Sequence, residues 1–117
     1  MPIFYIYNIN MKEIFKESDF DSEILNQKCT VIAYFWSIKC KACDKAAKFL
    51  SKLEKAYSNK LKIVKLNIDY DMNLAIRFGI SQLPTFMLFK ENDMKLLIEG
   101  FKGDMKFERQ VRPFIIS

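Results

Sequence analysis

The chain contains no histidine among its 117 residues. That absence removes Cys-His and Ser-His-Asp catalysis, zinc sites with imidazole ligands and axial haem histidine together. Cysteine is scarce as well. Three cysteines are too few, and odd in number, for a small secreted scaffold stapled by disulfides. No block of like charge stands out. The net charge is +5 and the pI is near 9.1, but the lysines are scattered and no RNA- or DNA-binding motif accompanies them. A solvated surface is therefore expected, and a nucleic-acid partner is not. There is no repeat, linker or low-complexity tract. The opening MPIFYIYNIN is apolar, yet it lacks a basic flank and is interrupted by Asn8 and Asn10. It falls well short of the roughly 20 apolar residues a membrane helix needs. A cytoplasmic protein with no membrane partner is the default expectation.

What is present reads as one folded domain. Half of the residues are apolar, enough for a core of ordinary size. KEIF (Lys12 to Phe15) is short and strand-like. SDFDSEILNQ predicts a capped helix turning Phe20, Ile24 and Leu25 inward. TVIAYFW (Thr30 to Trp36) is a continuous β-branched and aromatic run, the pattern of a strand buried on both faces. Ala46, Ala47, Leu50, Leu53 and Tyr57 then recur at helical spacing. LKIVKLNI (Leu61 to Ile68) predicts a further strand. DMNLAIRFG predicts a short helix with Asp71 as N-cap and Gly79 just past its end. TFMLFK and KLLIEG flank ENDM as an antiparallel hairpin. Gly103 and Asp104 open a last helix with Phe107, Val111, Phe114 and Ile115 on one face, which Pro113 is expected to end or kink. The order β-α-β-α-β-α-β-β-α implies right-handed crossovers, parallel strands and an antiparallel edge. The expected class is α/β, a central mixed sheet with helices on both faces.

The chemistry-bearing feature is YFWSIKCKACDKAAKFL, where Cys40 and Cys43 stand two residues apart as a strand gives way to a helix. Three readings compete: metal ligands, a structural staple, or a pair that exchanges disulfides. A staple would close a tiny loop and constrain the unfolded chain little. Structural zinc wants four ligands, and one C-x-x-C plus Cys29 cannot supply them within one chain. A metal or cluster shared across a dimer stays open on ligand count. Cys29 itself reads as a small, partly buried apolar residue, with a regulatory or intermolecular thiol as the alternative.

FWSIKCKAC, VKLNID (Val64 to Asp69), FGISQLPTFMLFK (Phe78 to Lys90) and Gly100 together resemble the thioredoxin family, from Lys12 to the C-terminus. A lone C-x-x-C is weak; the same motif opening a helix, followed by a proline-threonine step before another strand, is specific. The resemblance implies a thioredoxin fold over residues 12–117, with residues 1–11 as an N-terminal extension. It implies that Cys40 is the exposed nucleophile, Cys43 the resolving cysteine and Trp36 the tryptophan beside them, with Lys65 beneath. Leu83 and Pro84 match a cis step that faces the sulfurs and pairs with substrate backbone, and Gly100 matches the glycine that leaves the groove open. No cofactor or metal is implied. Partners would be protein disulfides and a thioredoxin-reductase-like or other thiol partner, with the chain a monomer or weak dimer.

The chain also departs from the family pattern. Lys41-Ala42 replaces glycine-proline between the cysteines, and Tyr34 replaces a buried acid. Lys48 replaces the proline of the active-site helix, Lys39 an exposed aromatic residue, and Gln82 a small residue of the substrate loop. IFYIYNI in the extension has strong strand propensity, suited to lengthening the sheet or pairing between copies. The expected activity is thiol–disulfide oxidoreduction on proteins. A binding or chaperone module of the same fold, with little turnover, is the rival.

Overall fold

In a computed structural model, which describes residues 11–14 and 16–116, five strands form one mixed sheet. They are β1 (Lys12–Ile14), β2 (Thr30–Trp36), β3 (Leu61–Asn67), β4 (Thr85–Lys90) and β5 (Asp93–Glu99), in the order β1-β3-β2-β4-β5. β1, β3 and β2 run parallel, and β4 and β5 are antiparallel to their neighbours. Four helices complete the fold: α1 (Phe20–Ile24), α2 (Lys41–Ala56), α3 (Met72–Phe78) and α4 (Asp104–Ile116).

β2 sits at the centre, and all seven of its residues are buried. Its alternating side chains feed two cores, because successive residues of a strand point to opposite faces. Ile32, Tyr34 and Trp36 join Ala46, Ala47, Leu50 and Leu53 of α2 and Phe107, Val111 and Ile115 of α4. Val31, Ala33 and Phe35 join Phe20 and Ile24 of α1 and Leu74 of α3. Each fully buried Leu or Ile of these cores contributes about 1.5–3 kcal/mol. Met11 is buried in the first core; residues 1–10, the rest of the expected extension, lie outside the described residues, as does Phe15.

Local chemistry accounts for most boundaries. The Asp71 side chain accepts from the Asn73 N–H at 2.9 Å, and Gly79 closes α3 at φ 63°; both match expectation. Three boundaries differ by more than one residue. The helix expected over SDFDSEILNQ is only Phe20–Ile24, preceded by a 3-10 turn at Glu17–Asp19, and Asp19 provides no side-chain cap. Leu25 is its extended C-cap, only partly buried. The hairpin turn is two residues, Glu91 and Asn92, both at positive φ (53° and 70°). This places Asp93 and Met94 in β5 rather than in the loop, as the right-handed strand twist favours. Finally, α4 runs through Pro113 to Ile116. Pro113 has no N–H to give the Arg109 carbonyl, a loss of one helical hydrogen bond, and beyond it the last four carbonyls lack helical partners in any helix. One of those, the Phe114 carbonyl, accepts from the Thr30 hydroxyl at 2.7 Å.

Candidate active site

The carboxyl ends of β2 and β3 and the start of α2 converge on the cysteine pair. Ser37, just after β2, donates from its hydroxyl to both carboxylate oxygens of Asp69, at 2.8 and 3.0 Å. Asp69 also accepts from the Ile38 N–H at 3.1 Å, and the Ser37 hydroxyl oxygen accepts from the Lys39 N–H at 3.3 Å. The loop before Cys40 is thus tied to the loop after β3. Cys40 is the N-cap of α2 with an extended backbone, and Cys43 lies in the first turn. Their Cα atoms are 5.3 Å apart and their Sγ atoms are joined as a disulfide. Cys43 is 2 % exposed, whereas Cys40 is partly exposed and flanked by the exposed Lys39 and Lys41. The unpaired N–H groups and partial positive charge of a helix N-terminus favour an anion at this position, a thiolate included. Cys29 is a free, partly buried thiol just before β2.

Beneath the pair, one row of the sheet carries the polar groups. Glu13 of β1 lies opposite Lys65 of β3, and Lys65 opposite Tyr34 of β2. Lys65 is 4 % exposed. Its ammonium stands 3.4 Å from Glu13 Oε1 and 4.6 Å from the centre of the Trp36 ring. The Trp36 Nε1–H donates to Glu13 Oε2 at 3.4 Å. Burial pushes the Glu13 carboxyl up, against the opposing pull of Lys65. Burial likewise pushes the Lys65 ammonium down, against Glu13. Tyr34 is 1 % exposed, stacks on Phe86 and donates its hydroxyl hydrogen to the Cys43 carbonyl at 2.9 Å. Burial pushes its phenol far up, with Asp44 and Glu13 adding. A phenol so shifted is a donor and not a base near neutrality.

Trp36, Tyr34 and Cys43 belong to one packed cluster, against which Cys40 and Leu83 also pack. The Leu83–Pro84 peptide is cis. The Pro84 carbonyl accepts from the Gly100 N–H at 2.7 Å. Gly100 has φ 83°, and a Cβ there would meet nothing within 4 Å. The glycine is required by its backbone, and the space beside it is open. Gln82 is exposed; its side-chain amide donates to Glu99 at 3.1 Å and its backbone carbonyl accepts from the Thr85 hydroxyl at 2.6 Å. Sequence reasoning missed Glu13, Ser37 and Asp69 as parts of this site. Asp69 ends the VKLNID stretch, and that was the one available signal.

A thioredoxin family model matches residues 11–112, a span that holds every feature just described. The chain belongs to the thioredoxin family. It is 34% identical over 84 residues to thioredoxin of Synechocystis sp., covering 72% of this chain and 78% of that one. It is 33% identical over 79 residues to thioredoxin of Rickettsia felis, covering 68% and 75%. Against the chloroplastic M-type thioredoxin of Pisum sativum it is 28% identical over 107 residues, 92% of this chain but 62% of that protein. The chain therefore spans less than two thirds of that plant relative. As a thioredoxin-family site, the Cys40–Cys43 pair is a dithiol–disulfide couple set at a helix N-terminus.

Proposed function

We propose that this protein reduces or exchanges disulfides in other proteins, and that a thioredoxin-reductase-like or other thiol partner resets it. The observation that carries the reading is the asymmetry of the pair: Cys40 is reachable at the head of α2, and Cys43 is buried behind it. The Cys40 thiolate attacks one sulfur of a client disulfide, forming a mixed disulfide and releasing the other client sulfur as a thiolate. Cys43, having lost its proton, then attacks Cys40 Sγ and releases the second client thiol. The client gains two electrons and two protons, and the protein is left oxidised until its partner returns the same. In this reading an extended client segment lies beside Pro84 and Gly100, held by strand-like backbone hydrogen bonds.

Insulin reduction with dithiothreitol tests this reading. The wild type should accelerate precipitation of the insulin B chain about tenfold or more over dithiothreitol alone, within the range usual for positioned chemistry. A variant with both cysteines replaced by serine should give none. Negligible acceleration by the wild type, with client affinity kept in the double variant, would instead establish a binding or chaperone module.

A further inference from the structure

Five of the lysines that look scattered along the chain are gathered by one helix. Lys41, Lys45, Lys48, Lys52 and Lys55 of α2 are all exposed, at steps of four and three residues that keep them on one face. At 1.5 Å per residue the stripe runs about 21 Å. α2 carries two acids: Asp44, exposed beside Lys41 and Lys48 in the first turn, and Glu54, which is turned away with its carboxylate accepting from the Ile63 N–H at 2.7 Å. α4, packed on the same sheet face, adds the exposed Lys106, Arg109 and Arg112. The opposite layer is richer in acids: Glu17, Asp19, Asp21 and Glu23 lie on the 3-10 turn and α1, with Arg77 of α3 paired to Glu17 and Asp21. Positive charge is thus concentrated along the exposed face of α2.

The stripe begins at the site. Cys40 is the N-cap of α2, and Lys39 extends the cationic run to its other side. Any disulfide presented to Cys40 is held at the head of this face. We propose that the stripe selects protein substrates whose disulfide is flanked by acidic residues, steering them to Cys40. The inference rests on the exchange function proposed above and narrows its substrate class. Its chemistry is charge complementarity. A surface of one sign raises the encounter rate with an oppositely charged partner by 10-fold to 1000-fold at low salt, an effect that fades as the Debye length falls from about 30 Å at 0.01 M to about 3 Å at 1 M. The stripe is longer than the screening length at 0.1 M, about 10 Å. At that salt only the lysines nearest Cys40 act on a docked disulfide, and the rest of the stripe acts on the approaching partner at lower salt.

The test uses the pre-reduced full chain in single turnover against two disulfide-bonded peptides of equal length, one flanked by Asp and Glu, the other by Lys. The uncharged hydroxyethyl disulfide serves as reference. At 20 mM ionic strength the acidic peptide should react about 10-fold faster or more, and the two rates should converge near 1 M salt. Lys45→Glu/Lys52→Glu/Lys55→Glu should invert the peptide preference while leaving the hydroxyethyl disulfide rate within about twofold. Equal peptide rates at low salt, or a preference untouched by the triple substitution, would overturn the proposal. Retention of the wild type on heparin with no peptide preference would overturn it too, assigning the stripe to a non-peptide polyanion. Failure with hydroxyethyl disulfide as well would strike the exchange function itself rather than the stripe.

Discussion

Cys43→Ser is expected to accumulate mixed disulfides with client proteins, and Cys40→Ser is expected to accumulate almost none. The asymmetry follows from where α2 puts the two sulfurs. Cys40 precedes the helix on a loop fixed by Ser37 and Asp69, partly open to a partner. Cys43 lies one turn in, 2 % exposed, among Ala46, Ala47 and Trp36. A client sulfur must approach in line with the disulfide it belongs to, and only Cys40 offers that access. With Cys43 removed, the first exchange proceeds and the second cannot. With Cys40 removed, the remaining thiol is sheltered by the core. Affinity capture of each variant followed by nonreducing electrophoresis measures this, and at least a tenfold difference in trapped client is expected. Comparable trapping by both variants would reverse the assignment of roles.

The second large effect concerns Glu13 and Lys65. A buried ion pair is weak support for stability, because desolvating both charges offsets their attraction, yet breaking it strands the survivor. The Lys65 side chain is 5% exposed and that of Glu13 23%. Glu13→Gln should therefore cost about 3 kcal/mol at pH 7, the low end for a broken buried pair, since the ammonium keeps the Trp36 ring as a neighbour. Lys65→Met should cost less, about 1–2 kcal/mol, because the Glu13 carboxylate reaches some water. The double variant should lie within about 1 kcal/mol of wild type, so the two losses do not add.

The pH dependence of the two single variants runs in opposite directions. Lys65 is already pushed below its ordinary value, and without Glu13 it falls further. A group lowered on folding contributes stability above its unfolded pKa that is lost as pH falls through the folded one. Glu13→Gln should hence destabilise least in alkali, near the ordinary lysine value of 10.5. Glu13 is already raised, and without Lys65 it rises further. Its contribution is complete below 4.5 and is lost as pH climbs through the folded value. Lys65→Met should hence destabilise least in acid. Urea unfolding of the four proteins from pH 4 to 10 checks both signs, and additive, parallel losses would mean that the two side chains are not coupled.

The sequence was legible wherever one element carried its own signal. The unbroken apolar run of β2 announced a strand between two cores. Asp71 and Gly79 marked both ends of α3, and C-x-x-C at the strand-to-helix step marked the redox pair. Non-local pairings were not legible in the same way. Glu13 lies on a three-residue strand, 23 residues from Trp36 and 52 from Lys65 by number. A single Glu in such a strand reads as solvated until the β1–β3 register sets it beside Lys65. Ser37 and Asp69 are hidden for the same reason, 32 residues apart. The α2 lysines failed in another manner: no window of sequence holds a block of them, and only the helical turn aligns them. At the hairpin, a glutamate at positive φ gives no turn signal of its own, so the polar start of β5 was read as loop.

Cys40 and Cys43 should behave as one reversible two-electron couple. This is tested most directly by titrating the protein in glutathione buffers and counting free thiols by alkylation and mass spectrometry. Lys41-Ala42 gives a less restricted link than glycine-proline, and Lys41 and Lys39 add cations beside Cys40. A nearby cation favours thiolate, and a stabilised thiolate favours the reduced form. One two-electron transition is expected, about 20 to 60 mV above the roughly −270 mV of thioredoxin, with Trp36 emission following the same curve. A transition at or below −270 mV would contradict the tuning assigned to these lysines. Two cysteines that take up glutathione independently, with no shared transition, would contradict the redox couple itself.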